Sequence, residues 1–325
     1  MLQREAQERG QVVNARREVL HDAALGMLGL FRPLKRGQER AKLDEKTDWG
    51  GAKIRWRGPD QLSIGDQSVL FAVLEVASEQ LRNSSSRVGP EDPLWEMLLH
   101  QQHLFSAQTV RVATSYSHLA KLCGWGDGGP AISRVKASLR RLTETTVWVR
   151  REGLEGSSRM LAWHVGTRRE VMLVLNWRFA QALHGQHFSK ISMAERALLS
   201  SEAAQALHAV LSCKVDLKGR WACKVDGLQR YVWGSTSVDG NVVRARRVRL
   251  RAALADISHL RGWAVRFDGD IAHISRGQPR PVVSVTPRRF VHDSPSLQSH
   301  PEAGKPSNHA GFDVVDVSVL FSTRE

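Results

Sequence analysis

The sequence has few of the residues that catalysis on nucleic acids requires. Among its 325 residues only two are tyrosines, Tyr116 and Tyr231, and neither accompanies the His-hydrophobic-His metal pair of a DNA-nicking enzyme. The GxxxxGK[ST] pattern that cradles nucleotide phosphates is absent. No Gly-x-Ser-x-Gly or Ser-x-x-Lys nucleophile pattern stands in a usable context. We therefore expect a binding protein that is not an enzyme.

Cysteine is also scarce, with Cys123, Cys213 and Cys223 in odd number and at wide spacing, which excludes a disulfide framework. His184 and His187 form an HxxH pair, but no Cys-x-x-Cys completes a metal site. We expect neither a metal nor a cofactor. No apolar run is long enough to span a membrane, and the N-terminal MLQREAQERGQ has no signal-peptide core. These absences predict a cytoplasmic protein without a membrane partner.

Positive charge is abundant. Lys and Arg number 47 against 33 Asp and Glu, which makes the formal net charge +14. Such an excess points to a polyanion, most simply a nucleic acid. A hydrophobic content of 42% with ten tryptophans excludes a wholly disordered chain. The length is sufficient for two domains.

The strongest charge pattern lies at residues 240–263. Leu250, Ala253, Leu254 and Ile257 have the i, i+3, i+4, i+7 spacing of one helix face. The helix they predict has a core-facing C-terminal half and a cationic N-terminal half, as a major-groove recognition helix requires. The alternative is a basic face that only contacts solvent. We favour DNA, and the predicted contacts are Asn241, Arg244, Arg246, Arg247, Arg249 and Arg251.

A second helix with the same character is predicted at residues 130–143. Ile132, Val135, Leu139 and Leu142 lie on one face of its helical wheel. The other side carries further predicted DNA contacts, namely Ser133, Arg134, Lys136, Ala137, Arg140 and Arg141.

The order of predicted elements repeats along the chain. Helices predicted at 66–78, 115–122 and 130–143 precede strands at 145–176. Helices predicted at 193–213, 224–232 and 240–261 precede a hairpin that turns at Asp268 and Gly269. This order predicts an α+β fold of two tandem winged-helix domains. The predicted segments are an extension (1–28) that is helical up to residue 26, a first domain with a basic N-terminal arm (29–180), a second domain (186–277) and a Pro/Ser/His/Gly-rich, mostly disordered tail (278–325). Residues 84–97 are predicted to form a loop inserted in the first domain.

Several stretches resemble the replication initiators of IncQ-type plasmids, the RepC-like iteron-binding proteins. These stretches are GLFRPLKRGQERAKLD (29–44), SYSHLAKLCG (115–124), YVWGS (231–235), VVRARRVRLRAAL (242–254) and GWAVR (262–266). Their order and spacing match from about residue 26 to about residue 277. The five arginines between 244 and 251 match the family's arginine-rich third helix, whereas Val248 replaces a polar residue. In the first domain the GG dipeptide at 128–129 matches, but Arg134, Lys136 and Arg140 do not.

The resemblance implies binding to directly repeated iterons at a plasmid origin, opening of a neighbouring AT-rich segment and contact with a plasmid-encoded helicase and primase. Two domains in one chain suit the binding of one monomer to each iteron. Whether the chain forms a dimer when it is not bound to DNA is left open by the resemblance. The alternative function is that of a transcriptional repressor or a partition-type DNA-binding regulator. An RNA-binding protein is a third and less favoured hypothesis. Regulators usually prefer inverted repeats that match dimer symmetry, which separates them from an initiator on direct repeats.

Overall fold

The computed structural model describes residues 17–277, apart from 35, 36, 38, 50, 83–109, 152, 167–169 and 186. The described residues belong to one compact unit. The tail predicted to be disordered, the loop expected at 84–97 and the first sixteen residues lie outside them.

Helices and strands alternate through the described residues, so the predicted mixed class is confirmed. The helices are α1 (Ala23–Gly26), α2 (Ile64–Arg82), α3 (Tyr116–Leu122), α4 (Gly129–Glu144), α5 (Trp177–Leu183), α6 (Met193–Ala197), α7 (Glu202–Lys214), a 3-10 helix (Val225–Leu228), α8 (Gln229–Trp233) and α9 (Gly240–Ser258). The strands are β1 (Glu18–Asp22), β2 (Phe31–Arg32), β3 (Leu43–Trp49), β4 (Ala52–Gly58), β5 (Leu62–Ser63), β6 (Arg111–Thr114), β7 (Thr146–Arg151), β8 (Leu154–Arg159), β9 (Leu161–Val165), β10 (Val171–Leu175), β11 (Phe188–Ser192), β12 (Arg220–Lys224), β13 (Trp263–Asp268) and β14 (Ile271–Arg276).

One order of elements occurs twice. In the first half α2 precedes β6, α3, α4, β9 and β10, and the three strands form an antiparallel sheet in the order β6-β10-β9. In the second half α7 precedes β12, the 3-10 helix with α8, α9, β13 and β14, with the sheet order β12-β14-β13. In each half the strand that follows the first helix therefore pairs with the last strand.

The first half contains an insertion that the second half lacks in its described residues. Strands β7 and β8 follow α4 and join β3 and β4 in an antiparallel sheet of order β3-β4-β7-β8. Ile54, Trp56 and Val147 are buried on one face of this sheet. We refer below to the opposite face, which bears Lys46, Lys53, Arg55, Arg57, Trp148 and Arg150, as the outer sheet face.

Three predicted elements differ in the structure. The helical character expected before residue 26 is wrong over β1, which pairs with β11 because Val19 and His21 alternate inward into the core. The helix expected over 193–213 is broken into α6 and α7, where Ser201 accepts a hydrogen bond from the Ala204 amide (3.1 Å) and starts a new helix. Of the helix expected over 224–232, Lys224 is the last residue of β12, Val225–Leu228 form the 3-10 helix, and only the part from Gln229 belongs to α8.

The main hydrophobic cluster of the described residues contains side chains from both halves. Val69 and Leu139 of the first half and Leu207 and Leu254 of the second belong to the same buried cluster. None of the described helices combines the length and the apolar character that crossing a membrane requires.

The three cysteines are free thiols. Burial raises the pKa of Cys123 and of Cys213 to about 12, so both are protonated at neutral pH. Within the described ranges no three His, Cys, Asp or Glu side chains lie close enough together to hold a metal ion.

Candidate nucleic-acid interface

Helix α9 forms where the arginine-rich pattern predicted it. Asp239 caps its N-terminus by accepting a hydrogen bond from the Asn241 amide (2.8 Å). Leu250, Ala253, Leu254 and Ile257 are buried, as their spacing predicted. The C-terminal half is therefore anchored in the core, and the N-terminal half projects from it.

Four side chains form an outward stripe on this N-terminal half. Asn241, Arg244 and Arg249 are exposed, and Val248 between the two arginines is 65% exposed. Neither Arg244 nor Arg249 has an ion-pair or hydrogen-bond partner in the described part of the chain. Their guanidinium groups are available to an external anion or base.

The other three arginines of α9 form hydrogen bonds within the protein. Arg246 donates to the Ser235 carbonyl (3.0 Å) and lies over the Trp233 ring. Arg247 donates to the Asp226 carboxylate (2.9 Å), and this bond lowers the pKa of Asp226. Position on a helical wheel cannot reveal these partners, because they belong to other elements.

Arg251 connects α9 to the β13–β14 hairpin. Its guanidinium donates to the Gly269 carbonyl (2.6 Å) and lies 4.8 Å from the centre of the Phe267 ring. The hairpin turn also carries the exposed carboxylates of Asp268 and Asp270. Arg251 thus fixes the hairpin against the helix, and the tip of the hairpin is acidic.

Helix α4 presents the other predicted surface. Val135, Leu139 and Leu142 are buried as predicted, whereas Ile132 is only partly buried. The Arg134 guanidinium lies 4.8 Å from the Trp125 ring centre, and the Lys136 ammonium lies 5.1 Å from that of Tyr116. Five of the six predicted contacts are exposed, namely Ser133, Arg134, Lys136, Ala137 and Arg140.

The sixth predicted contact, Arg141, is directed inward. It donates to the carboxylate of Asp66 (2.7 Å), which is fully buried on α2, and Arg40 donates to the same carboxylate (3.0 Å). Burial by itself raises the pKa of Asp66. The hydrogen bond and the charge of Arg141 lower that pKa by more than burial raises it, so the pKa of Asp66 lies below its usual range. The prediction that Arg141 lies on the exposed side of the helix is wrong, because its wheel position borders the buried face and a buried anion lies beside it.

The stretch GLFRPLKRG packs against the second half of the fold. Gly29 has φ +60°, and a Cβ atom there would lie 2.5 Å from the Arg230 carbonyl oxygen. Arg32 donates to the Gly29 carbonyl (3.0 Å), forms an ion pair with Glu45 and lies against Gly234 at the end of α8. In the predicted basic arm, Arg32 and Arg40 are therefore engaged within the protein, and Lys35 and Arg36 lie outside the described residues.

The chain is similar in sequence to a family of replication proteins, and in fold to two solved structures. The model of the family described as Replication protein C (RepC) matches residues 11–276. Comparison with curated proteins gave no significant match. Among solved structures, selenomethionine derivatives of domains 2 and 3 of RctB are similar to 79% of the chain and 99% of their own, at 13% identity and TM-score 0.48. A second RctB domain 2–3 structure covers 77% of the chain and 96% of its own, at 13% identity and TM-score 0.45.

Proposed function

Because the chain belongs to the replication protein C (RepC) family, we propose that it is a plasmid replication initiator that binds direct repeats of duplex DNA at the origin. In this proposal it acts by binding, without catalysis, in the cytoplasm. Binding promotes opening of an adjacent AT-rich segment and brings in the plasmid-encoded helicase and primase.

The observation that carries the proposal is the outward stripe of α9. Asn241 can pair with adenine and Arg244 or Arg249 with guanine, each through two hydrogen bonds. Val248 offers an apolar contact of the kind that recognises the thymine methyl group. The two arginines can equally bind phosphates, which fixes register without reading sequence. Helix α4 supplies a second exposed cationic face through Arg134, Lys136 and Arg140.

We propose that the two halves are winged-helix domains, within residues 29–180 and 186–277, with α4 and α9 as their recognition helices. The repeated order of elements and the repeated strand pairing support this assignment. Two recognition helices can read successive turns of the major groove and cover roughly 20 bp. One chain would then bind one iteron.

The test is a footprint of the full chain on the DNA that flanks its reading frame. We expect protection of several tandem repeats of about 20 bp beside an AT-rich block. A DNA of the same length and composition in which the repeat sequence is scrambled serves as the competitor. Protection of one inverted repeat at a promoter would support a regulator instead, and preference for RNA would overturn the DNA assignment.

A variant pair links this footprint to α9. Arg244→Ala with Arg249→Ala should weaken binding at least about 30-fold, since contacts of this kind are each worth about 1–3 kcal/mol and two are removed. Arg261→Ala removes an exposed arginine beyond the C-terminal end of α9 and should leave affinity unchanged. A loss of binding free energy in Arg261→Ala half as large as in the double variant would show that total charge, rather than the stripe, drives binding.

A further inference from the structure

The outer sheet face is built from the alternate residues of four paired strands. Across one row, Lys46 of β3 lies opposite Arg55 of β4, Arg55 opposite Trp148 of β7, and Trp148 opposite Ser157 of β8. Side chains directly opposite each other in antiparallel strands are about 5 Å apart at Cβ. Trp148 is 40% exposed, so its ring lies open to solvent with cationic side chains beside it.

The adjoining rows add further cations. Lys53 lies directly opposite Arg150, and Arg57 is exposed one row away on β4. Like charges opposite each other destabilise a sheet. Such an arrangement is therefore a cost to the isolated protein that an anionic ligand would relieve.

Three carboxylates share this face and limit its charge. Asp44 accepts a hydrogen bond from Arg55 (2.6 Å), and Arg55 holds the pKa of that carboxyl below its usual range. Asp48 lies opposite Lys53, and Glu155 opposite Arg150. Lys46, Lys53, Arg57 and Arg150 form no ion pair within the described ranges. The face stays net positive, with its acids on the two outer strands.

These side chains line an open groove of about 600 Å³. Its lining joins the five cations of the outer sheet face to the ring of Trp148. A groove that combines cations with an exposed aromatic ring suits a strand whose phosphates and bases are both accessible.

We propose that the outer sheet face binds single-stranded DNA, with one base stacked on Trp148 and the flanking phosphates held by Lys46, Lys53, Arg57 and Arg150, the cations that have no ion-pair partner within the described ranges. A duplex would not use the tryptophan, because its bases are already stacked on one another. A second copy of the chain docked through the same face would bring like charges together. The site goes beyond the proposed duplex contact, since it involves neither α4 nor α9.

The test measures the affinity of the full chain for a labelled single strand of about 20 nucleotides and, separately, for the iteron duplex. Trp148→Ala should weaken single-strand binding about 5- to 150-fold, the range expected for one stacked base. Trp148→Phe keeps a stacking ring and should restore most of that affinity. Neither variant should change duplex binding, and both should retain the wild-type melting temperature because the side chain is exposed.

A charge variant tests the phosphate contacts. Lys53→Ala with Arg150→Ala should reduce the slope of the salt dependence of single-strand binding by about 1.4, because each lost phosphate contact accounts for about 0.7. Unchanged single-strand affinity in Trp148→Ala would overturn the proposal, and so would equal losses for single strand and duplex. A shift in oligomeric state without loss of single-strand binding would assign the face to self-association instead. Tighter binding of RNA of the same sequence would overturn the choice of DNA. Failure of the repeat footprint would leave these single-strand results standing, because the two sites are assayed separately.

Discussion

The guanidinium of Arg32 occupies the space that a Cβ atom on Gly234 would need. Gly234 has φ +75°, a left-handed conformation that itself disfavours a side chain. GLFRPLKRG and YVWGS are two of the stretches that resemble the RepC-like proteins. In the structure these two stretches pack on each other, so a single contact accounts for both.

Gly234→Ala should destabilise the fold by more than the cost of placing alanine in a left-handed conformation, which is about 1–3 kcal/mol. The added cost arises because the alanine methyl group displaces Arg32 from its ion pair with Glu45. Urea unfolding measures it. Gly124→Ala is the matched control, because Gly124 has φ +72° with open space around it. Equal losses at the two positions would show that Arg32 moves aside without cost.

Arg141→Ala should lower the stability of the fold, whereas Arg140→Ala should lower the affinity for DNA. Removal of Arg141 leaves the buried Asp66 with Arg40 alone, and we expect a loss of about 3 kcal/mol of stability. Arg140 is exposed, so its removal should keep the stability and weaken duplex binding. Urea unfolding and fluorescence anisotropy on the same samples separate the two. Weaker DNA binding by an Arg141→Ala variant of unchanged stability would instead support the prediction that Arg141 contacts DNA.

The salt dependence of duplex binding should divide the arginines of α9. For the wild type we expect a slope of log K against log salt of magnitude at least about 5. Arg244→Ala or Arg249→Ala should reduce it by about 1 each if the residue binds a phosphate. Arg251→Ala should change it less, because its guanidinium is already engaged by the hairpin. A flat response in the wild type would contradict groove binding altogether.

Stability should fall with acid in a way that depends on His21. Burial, followed by the charge of Arg196, lowers the pKa of His21 to about 3, and neither ring nitrogen has a hydrogen-bond partner among the described residues. Below about pH 6.5 the unfolded state binds the proton and the folded state does not, so stability decreases by up to about 1.4 kcal/mol per pH unit. The contribution is fully present above pH 6.5 and is lost toward pH 3.

His21→Leu should therefore show a shallower decline of unfolding free energy between about pH 6 and pH 4.5 than the wild type. The same replacement at His259, which is exposed after α9, should leave the decline unchanged. Parallel curves for the wild type and His21→Leu would mean that the buried ring becomes protonated without cost.

Local spacing accounts for what could be predicted from the sequence. The apolar positions of α9 and α4 recur every three or four residues, so both helices and most of their exposed side chains were predictable. Arg141 was not, because its partner Asp66 lies 75 residues earlier in the chain. Strand β1 was missed for the same reason, since five residues show their pairing only when β11 lies beside them.

The outer sheet face shows this limit most clearly. AKIRWRG was predictable as a strand from its alternation, yet the sequence does not place Arg55 beside Trp148 of β7. Register between distant strands depends on which faces are buried together. A surface assembled from four strands therefore becomes visible only when the fold is known.

The pairing of β1 with β11 has a consequence for synthesis. A ribosome must add 170 residues after Asp22 before Ser192, the last residue of β11, emerges. At about 5–20 residues per second the first strand waits roughly 10–30 s for its partner. During that time its backbone edge is open to other chains, as unpaired strand edges are. A nascent chain halted before β11 should therefore aggregate more readily than one halted just after it, and a first half cut at residue 185 would retain that defect permanently.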